Sequence, residues 1–288
     1  MSALRRLLAA GVVAAAAWAA LAGAPAPDPG AKAPAKQEAP LPDTSDASRG
    51  LDLSPLQTAL VYEADFSKPL RFATEDSLFD GDKRARQPEG VDWVLEGKAR
   101  AWVAEGRLHL KNESDHLVFW NTREFPADFL LEFGVSPANP NCGLAIVFFA
   151  AKGAKGESLF HLDQPRRAGL FVKYTNGPLN SYHTSYWATR ETGEPRGTAH
   201  IRKNSGFHLV AMGKDFVAGQ GAGPHRIRIL KVGGKIQVEA NGKMAVAWQD
   251  DGKTFGPVLA GGLIGLRQMA YSQECSYTHL KVWEVKGR

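Results

Sequence analysis

From residue 107 onward, apolar side chains recur at every second position in short runs, the period of a strand with one buried face. Residues 107–111 (RLHLK) alternate, and 225–230 (HRIRIL) place Ile227 and Ile229 on one face. Residues 235–240 follow across a Gly-rich hairpin at 232–235. Further strands are predicted over 116–120, 129–135, 169–174, 244–248, 262–267 and 277–285. The run 143–150 (GLAIVFFA) is almost wholly apolar, as suits a central strand covered on both sides. Asn241-Gly242 is a tight-turn signal. No amphipathic helical window of ordinary length stands out, and no fixed-period repeat suggests a propeller or solenoid. The pattern predicts an all-β protein: a two-sheet antiparallel β-sandwich.

The N-terminus has a different character. Residues 1–24 read as a signal peptide, with basic Arg5 and Arg6, an Ala-rich apolar run over 7–21 and a small-residue cleavage site at Ala22-Gly23-Ala24. The run is shorter than the ~20 residues of a spanning helix. No cysteine follows it to carry a lipid anchor. Residues 25–50 are rich in Pro, Ala, Asp and Lys and bury too little to offset ordering entropy, so a disordered linker is predicted. Residues 51–288 then make a single sandwich domain. The predicted location is periplasmic or secreted, with no membrane span once the signal is cleaved.

Charge and cysteines narrow the picture a little. Thirty-five Lys and Arg face 30 Asp and Glu, a net of +5 that falls to +3 without Arg5 and Arg6. The basic residues are dispersed, so no nucleic-acid partner is expected. An acidic glycan remains open as a partner. Cys142 and Cys275 each precede an apparent strand; an exported protein with two cysteines either bridges them or leaves both as thiols. No metal or other cofactor is assigned. His161, His183, His200, His208, His225 and His279 lack zinc spacing. Ca²⁺ at Asp163 or the Asp250-Asp251-Gly252 turn is an alternative without a complete loop pattern.

The segments ANGKMAVAWQDDG and GGLIGLRQMAYSQECSYTHLKVWEV resemble the C-terminal half of concanavalin A-like lectin/glucanase jelly rolls. Together with HLVFWNTREFPADFLLEF, GLAIVFFAA, the run Tyr182–Trp187 and RKNSGFHLV, they make the chain similar to the domain-of-unknown-function family 1961 from about Asp65 to Val285. The resemblance implies a jelly roll whose curved sheet holds sugar on its concave face. It also implies a carbohydrate partner, because members of the family accompany polysaccharide-use genes, and it leaves the reaction open.

Retaining glucanases of that fold carry Glu-x-Asp-x-(x)-Glu, which sets two carboxylates ~5 Å apart. That motif is absent here, and Glu132 and Glu239 are each the sole carboxylate of their strand. A lyase-like elimination or an atypical hydrolysis is the expected activity, and a non-catalytic glycan-binding module is the alternative. Elimination needs a base, an acid and cationic groups for the uronate carboxylate. His183, Tyr186 and Arg202 are the candidate catalytic residues, with Tyr182, Lys203, Asn204 and Arg267 as candidate substrate contacts. Trp120 and Trp187 are candidate stacking platforms for a pyranose. Each has a plain alternative: sheet aromatics for the tyrosines, a strand histidine for His183, core packing for Trp120, a surface pair for Arg202-Lys203. Strict alternation would put Tyr182, Thr184 and Tyr186 on one face and His183, Ser185 and Trp187 on the other. The reading favours His183 and Trp187 lining one groove.

Overall fold

The computed structural model describes residues 41–114, 116–269 and 272–287. The expected signal peptide, and the expected linker up to residue 40, lie outside the described residues. The chain first gives β1 (Thr58–Glu63), β2 (Phe72–Thr74), the two-residue strands β3 (Phe79–Asp80) and β4 (Lys83–Arg84), β5 (Trp93–Glu96), β6 (Ala99–Ala104), β7 (Arg107–Asn112) and β8 (His116–Asn121). The longer strands β9 (Phe129–Pro137) and β10 (Leu144–Gly153) precede a short helix, α1 (Phe171–Thr175). Then come β11 (Leu179–Ala188), β12 (Thr198–Asn204), β13 (His208–Lys214), β14 (His225–Val232), β15 (Lys235–Ala240), β16 (Lys243–Gln249), β17 (Leu263–Met269) and β18 (Glu274–Val285).

Two large sheets result. The front sheet runs β13-β12-β11-β10-β17-β8-β5-β2, and the back sheet β16-β15-β14-β9-β18-β7-β6, with β1 also pairing β18. Pairing is antiparallel throughout both sheets except between β2 and β5. The predicted sandwich is therefore present. Its turns follow sequence chemistry: Asn241 and Gly242 take φ of 52° and 80° between β15 and β16, the paired left-handed conformations that a two-residue hairpin needs.

Apolar side chains fill three layers. Between the sheets, Phe119, Phe149, Tyr182, Tyr186 and Trp187 of the front meet Leu131, Phe133, Ile227, Ile229 and Tyr277 of the back. Outside the front sheet, Val118, Trp120 and Phe148 are covered by Leu159, Phe160 and Tyr174. Outside the back sheet, Leu51, Leu53 and Leu56 cover Leu130 and Leu230.

Three expectations are corrected. Residues 169–174 are not a strand. Strand alternation would bury Leu170 and Val172 with Tyr174, but they are 47% and 59% exposed while Tyr174 is fully buried. Helical spacing instead turns Phe171 and Tyr174 toward the sheet together. Residues 41–50 are not a loose tether. Asp43 bridges Met212 of β13, Asp46 bridges Met244 of β16, and Thr44 Oγ1 accepts from Ala247 N (2.9 Å), so the segment ties an edge of one sheet to an edge of the other. Cys142 and Cys275 are not bridged; both are thiols. Cys275 is sealed in the inter-sheet core, whereas Cys142 sits half-buried in the turn before β10.

Candidate functional site

Register arranges the outer face of the front sheet in rows. One row crosses Arg202, His183, Phe148, Gly265, Trp120 and Val94 on successive strands. The next crosses His200, Ser185, Ile146, Arg267, Val118 and Glu96. Gly265 leaves room for the indole beside it: a Cβ there would stand 2.5 Å from the Trp120 ring.

One half of this face is closed by the loop between β10 and β11. Arg167, 1% exposed, donates from Nη2 to Glu96 Oε1 (2.5 Å) and from Nε to Oε2 (3.1 Å). Tyr174 Oη (2.7 Å) and Trp120 Nε1 (3.0 Å) donate to the same Oε2. Glu75 accepts from the backbone N–H of Arg167 (2.7 Å) and Ala168 (2.6 Å). The network pins the loop, and with it α1, onto the sheet.

Glu75 carries a pH signature. Burial first, then the Glu96 charge, push its carboxyl up to about 7, against the pull of Arg167 and the backbone N–H groups. The ordinary value is 4.5, so the folded state holds the proton more tightly than the unfolded chain does. The resulting stabilisation is complete below about pH 4.5 and is lost as pH rises through about 7. Denaturant midpoints are expected to fall between roughly pH 5 and pH 8, and Glu75→Gln is expected to flatten that slope. An unchanged slope in the variant would mean that another group titrates.

The other half of the face holds polar and aromatic groups. His183 is 2% exposed, and burial, then Arg202 and Arg267, hold its pKa well below the usual imidazole range. It is therefore neutral near pH 7. Asn204 Nδ2 donates to Ser181 Oγ and to His183 Nδ1, each at 2.9 Å, which leaves the ring proton on Nε2. Asn204 Oδ1, buried, makes no hydrogen bond among the described residues. Phe171 from α1 and Phe207 from the β12–β13 turn contact the imidazole with ring centres at 6.2 Å and 5.8 Å. The two phenyl rings meet edge-on at 5.3 Å. Arg267 lies 4.0 Å from the centre of the Phe171 ring and Arg202 3.8 Å from that of Phe207, each a cation–π pair. Arg202 also donates Nη1 to Phe207 O (2.7 Å). His200, in the next row, is pushed down to about 4 by burial, Arg202 and Arg196.

Of the residues singled out from sequence, His183, Arg202, Asn204 and Arg267 are brought together here. The others are not. Tyr186 points into the inter-sheet core against Phe133 and Tyr277, on the opposite face from His183. Trp187 was expected beside His183. The bulge between Ala145 and Ile146 breaks the alternation and sends it to the core, where its ring fills the space a Cβ on Gly143 would take. Tyr182 also faces the core, donating to Asp250 Oδ2 (2.5 Å) and accepting from Leu259 N (2.9 Å). Lys203, one residue out of phase with Arg202, is buried on the core side with Asp250 Oδ2 (2.7 Å) and the carbonyls of Gly256 and Pro257 (both 2.8 Å). Asp250 therefore holds an ammonium, not a metal ion. Trp120 is on the outer face but fully covered by Tyr174 and Phe148, so it offers no stacking surface.

Sequence reasoning missed Phe171 and Phe207. Phe171 was assigned to a strand, and no local pattern marks a turn phenylalanine that folds back over a sheet.

A family model described as domain of unknown function (DUF1961) matches residues 82–282. The uncharacterized protein YesU of Bacillus subtilis (strain 168) is 38% identical over 185 residues, covering 62% of this chain and 83% of YesU. A Bacillus subtilis protein of unknown function with a galectin-like fold is 32% identical and superposes with a TM-score of 0.65, over 80% of this chain and 98% of its own. An endo-β-1,3-glucanase from Pyrococcus furiosus is 9% identical with a TM-score of 0.51, over 83% and 99% of the two chains, a likeness of fold alone.

Proposed function

This chain belongs to the DUF1961 family, and on that footing we propose that it is an exported carbohydrate-binding protein whose ligand lies across the open half of the front sheet's outer face. The observation that carries the reading is the pairing of half-buried Phe171 and Phe207 with Arg267 and Arg202 on one surface. An aromatic ring packs against the apolar C–H face of a pyranose, and guanidinium groups donate to its oxygens. His183 and Asn204 lie beneath the two rings and set their height.

Binding is favoured over turnover. Hydrolysis by a carboxylate pair would need two acidic groups at the ligand. Glu75 and Glu96, the carboxylates that reach this side of the sheet, are engaged by Arg167 and its neighbouring backbone. Elimination would need His183 to reach the sugar, and it is 2% exposed with its proton on Nε2.

Affinity electrophoresis of the purified chain against a panel of neutral and acidic polysaccharides tests the reading. Retardation by at least one polysaccharide is expected, and Phe171→Ala is expected to weaken it by about tenfold or more, because that half-buried ring supplies the stacking surface. No retardation by any glycan would overturn the proposal. Release of ultraviolet-absorbing unsaturated uronate would replace binding by lyase action. Cell fractionation tests the export: the chain is expected outside the cytoplasm, cut near Ala24, and cytoplasmic retention of an uncut chain would refute it.

A further inference from the structure

Resting on that reading, we infer that the bound saccharide is acidic, with a sugar carboxylate placed between the Arg202 and Arg267 guanidinium groups and the ring of the same or the adjoining sugar against Phe171 or Phe207.

The geometry supplies the argument. The two arginines start three strands apart, on β12 and β17, yet each turns its guanidinium over a phenyl ring of one edge-to-face pair whose centres are 5.3 Å apart. The two cations therefore flank a single aromatic step. Both also act on the same imidazole, that of His183. His200 and Arg196 extend the basic character along the next row, where Arg196 and Arg202 act on His200. A neutral sugar satisfies such a surface through hydroxyl groups alone. A uronate adds a planar carboxylate that matches the guanidinium fork and gains charge-assisted hydrogen bonds. Arginines stacked on aromatic rings are held in orientation before the ligand arrives, which lowers the ordering cost of binding.

The site is not an isolated basic patch. Phe171 reaches it on α1, and α1 is fastened to the sheet by Tyr174 Oη on Glu96 Oε2 (2.7 Å) and by Lys173 Nζ on Arg166 O (2.9 Å). Leu170 and Val172, exposed at 47% and 59%, flank Phe171 and form an apolar margin beside the cations. That juxtaposition suits a pyranose, which presents an apolar ring face and a charged edge at once.

The test compares polyuronates (homogalacturonan, alginate, glucuronan) with the same polymers after carboxyl reduction, using calorimetry on the full chain. The expected result is at least tenfold weaker binding of the reduced polymer for whichever uronate binds best. Its affinity should also fall as salt is raised from about 0.05 to 0.5 M, as screening of partly exposed charges requires. Arg267→Gln and Arg202→Gln should each narrow the difference between acid and reduced forms, while Phe171→Ala should weaken both forms alike. Equal affinity for the acid and reduced forms would overturn this inference and leave the glycan-binding reading standing. Binding of neutral glycans only would do the same. Failure to bind any saccharide, charged or neutral, would remove both. The comparison of ligands needs no variant, so a substitution that impairs folding leaves the test intact.

Discussion

Arg167→Met is expected to destabilise the protein by about 3–5 kcal/mol, because it leaves the Glu96 carboxylate buried without its cation. Glu96 is fully buried, and Arg167 supplies two of the four side-chain hydrogen bonds it receives, at 2.5 Å and 3.1 Å. The others, from Tyr174 Oη and Trp120 Nε1, do not neutralise a charge. For a domain of this size the loss corresponds to a fall in Tm of roughly 6–20 °C. Urea denaturation measures it directly. The double variant Arg167→Met/Glu96→Gln should recover much of the loss, since removing both charges also removes the uncompensated one. A single-variant cost below about 1 kcal/mol would show that the pair does not hold the loop. Because the same loop carries α1, the single variant should also weaken glycan binding through Phe171.

Lys203→Met is expected to cost a similar ~3–5 kcal/mol, with the opposite functional outcome. Lys203 Nζ is enclosed by Asp250 Oδ2 at 2.7 Å and two carbonyls at 2.8 Å, and the Asp250 carboxylate also takes the Tyr182 hydroxyl. Removing the ammonium strands a buried carboxylate on the core side of the sheet, away from the outer face. Glycan affinity of the folded variant should match that of the parent, while its unfolding midpoint drops. Lost affinity at unchanged stability would return Lys203 to the ligand surface. The contrast between adjacent residues is instructive: Arg202 faces the candidate ligand and Lys203 faces the core, although their sequence context differs by one position.

The sandwich was legible because its cause is local. Alternation in 225–230 and 235–240, the Gly-rich turn between them and Asn241-Gly242 after them each act within a few residues. These become the β14–β15–β16 meander with no long-range decision needed. Four of the nine candidate site residues also fall on one face for a local reason. Positions 202 and 204 share parity on β12, and position 183 pairs with 202.

The amino-acid sequence by itself determined that this chain makes two sheets, where many of its turns fall, and that basic and aromatic residues crowd the 182–210 stretch. Tertiary structure alone decided which of them meet a ligand. A bulge in the β10–β11 pairing carries Trp187 inward, and only the partner strand's register reveals it. Residues 169–174 coil into α1 because Tyr174 finds Glu96, a residue 78 positions earlier in the chain. Period and turn chemistry are properties of neighbours along the chain, whereas the covering of a sheet face is settled by contacts between segments that the sequence holds far apart.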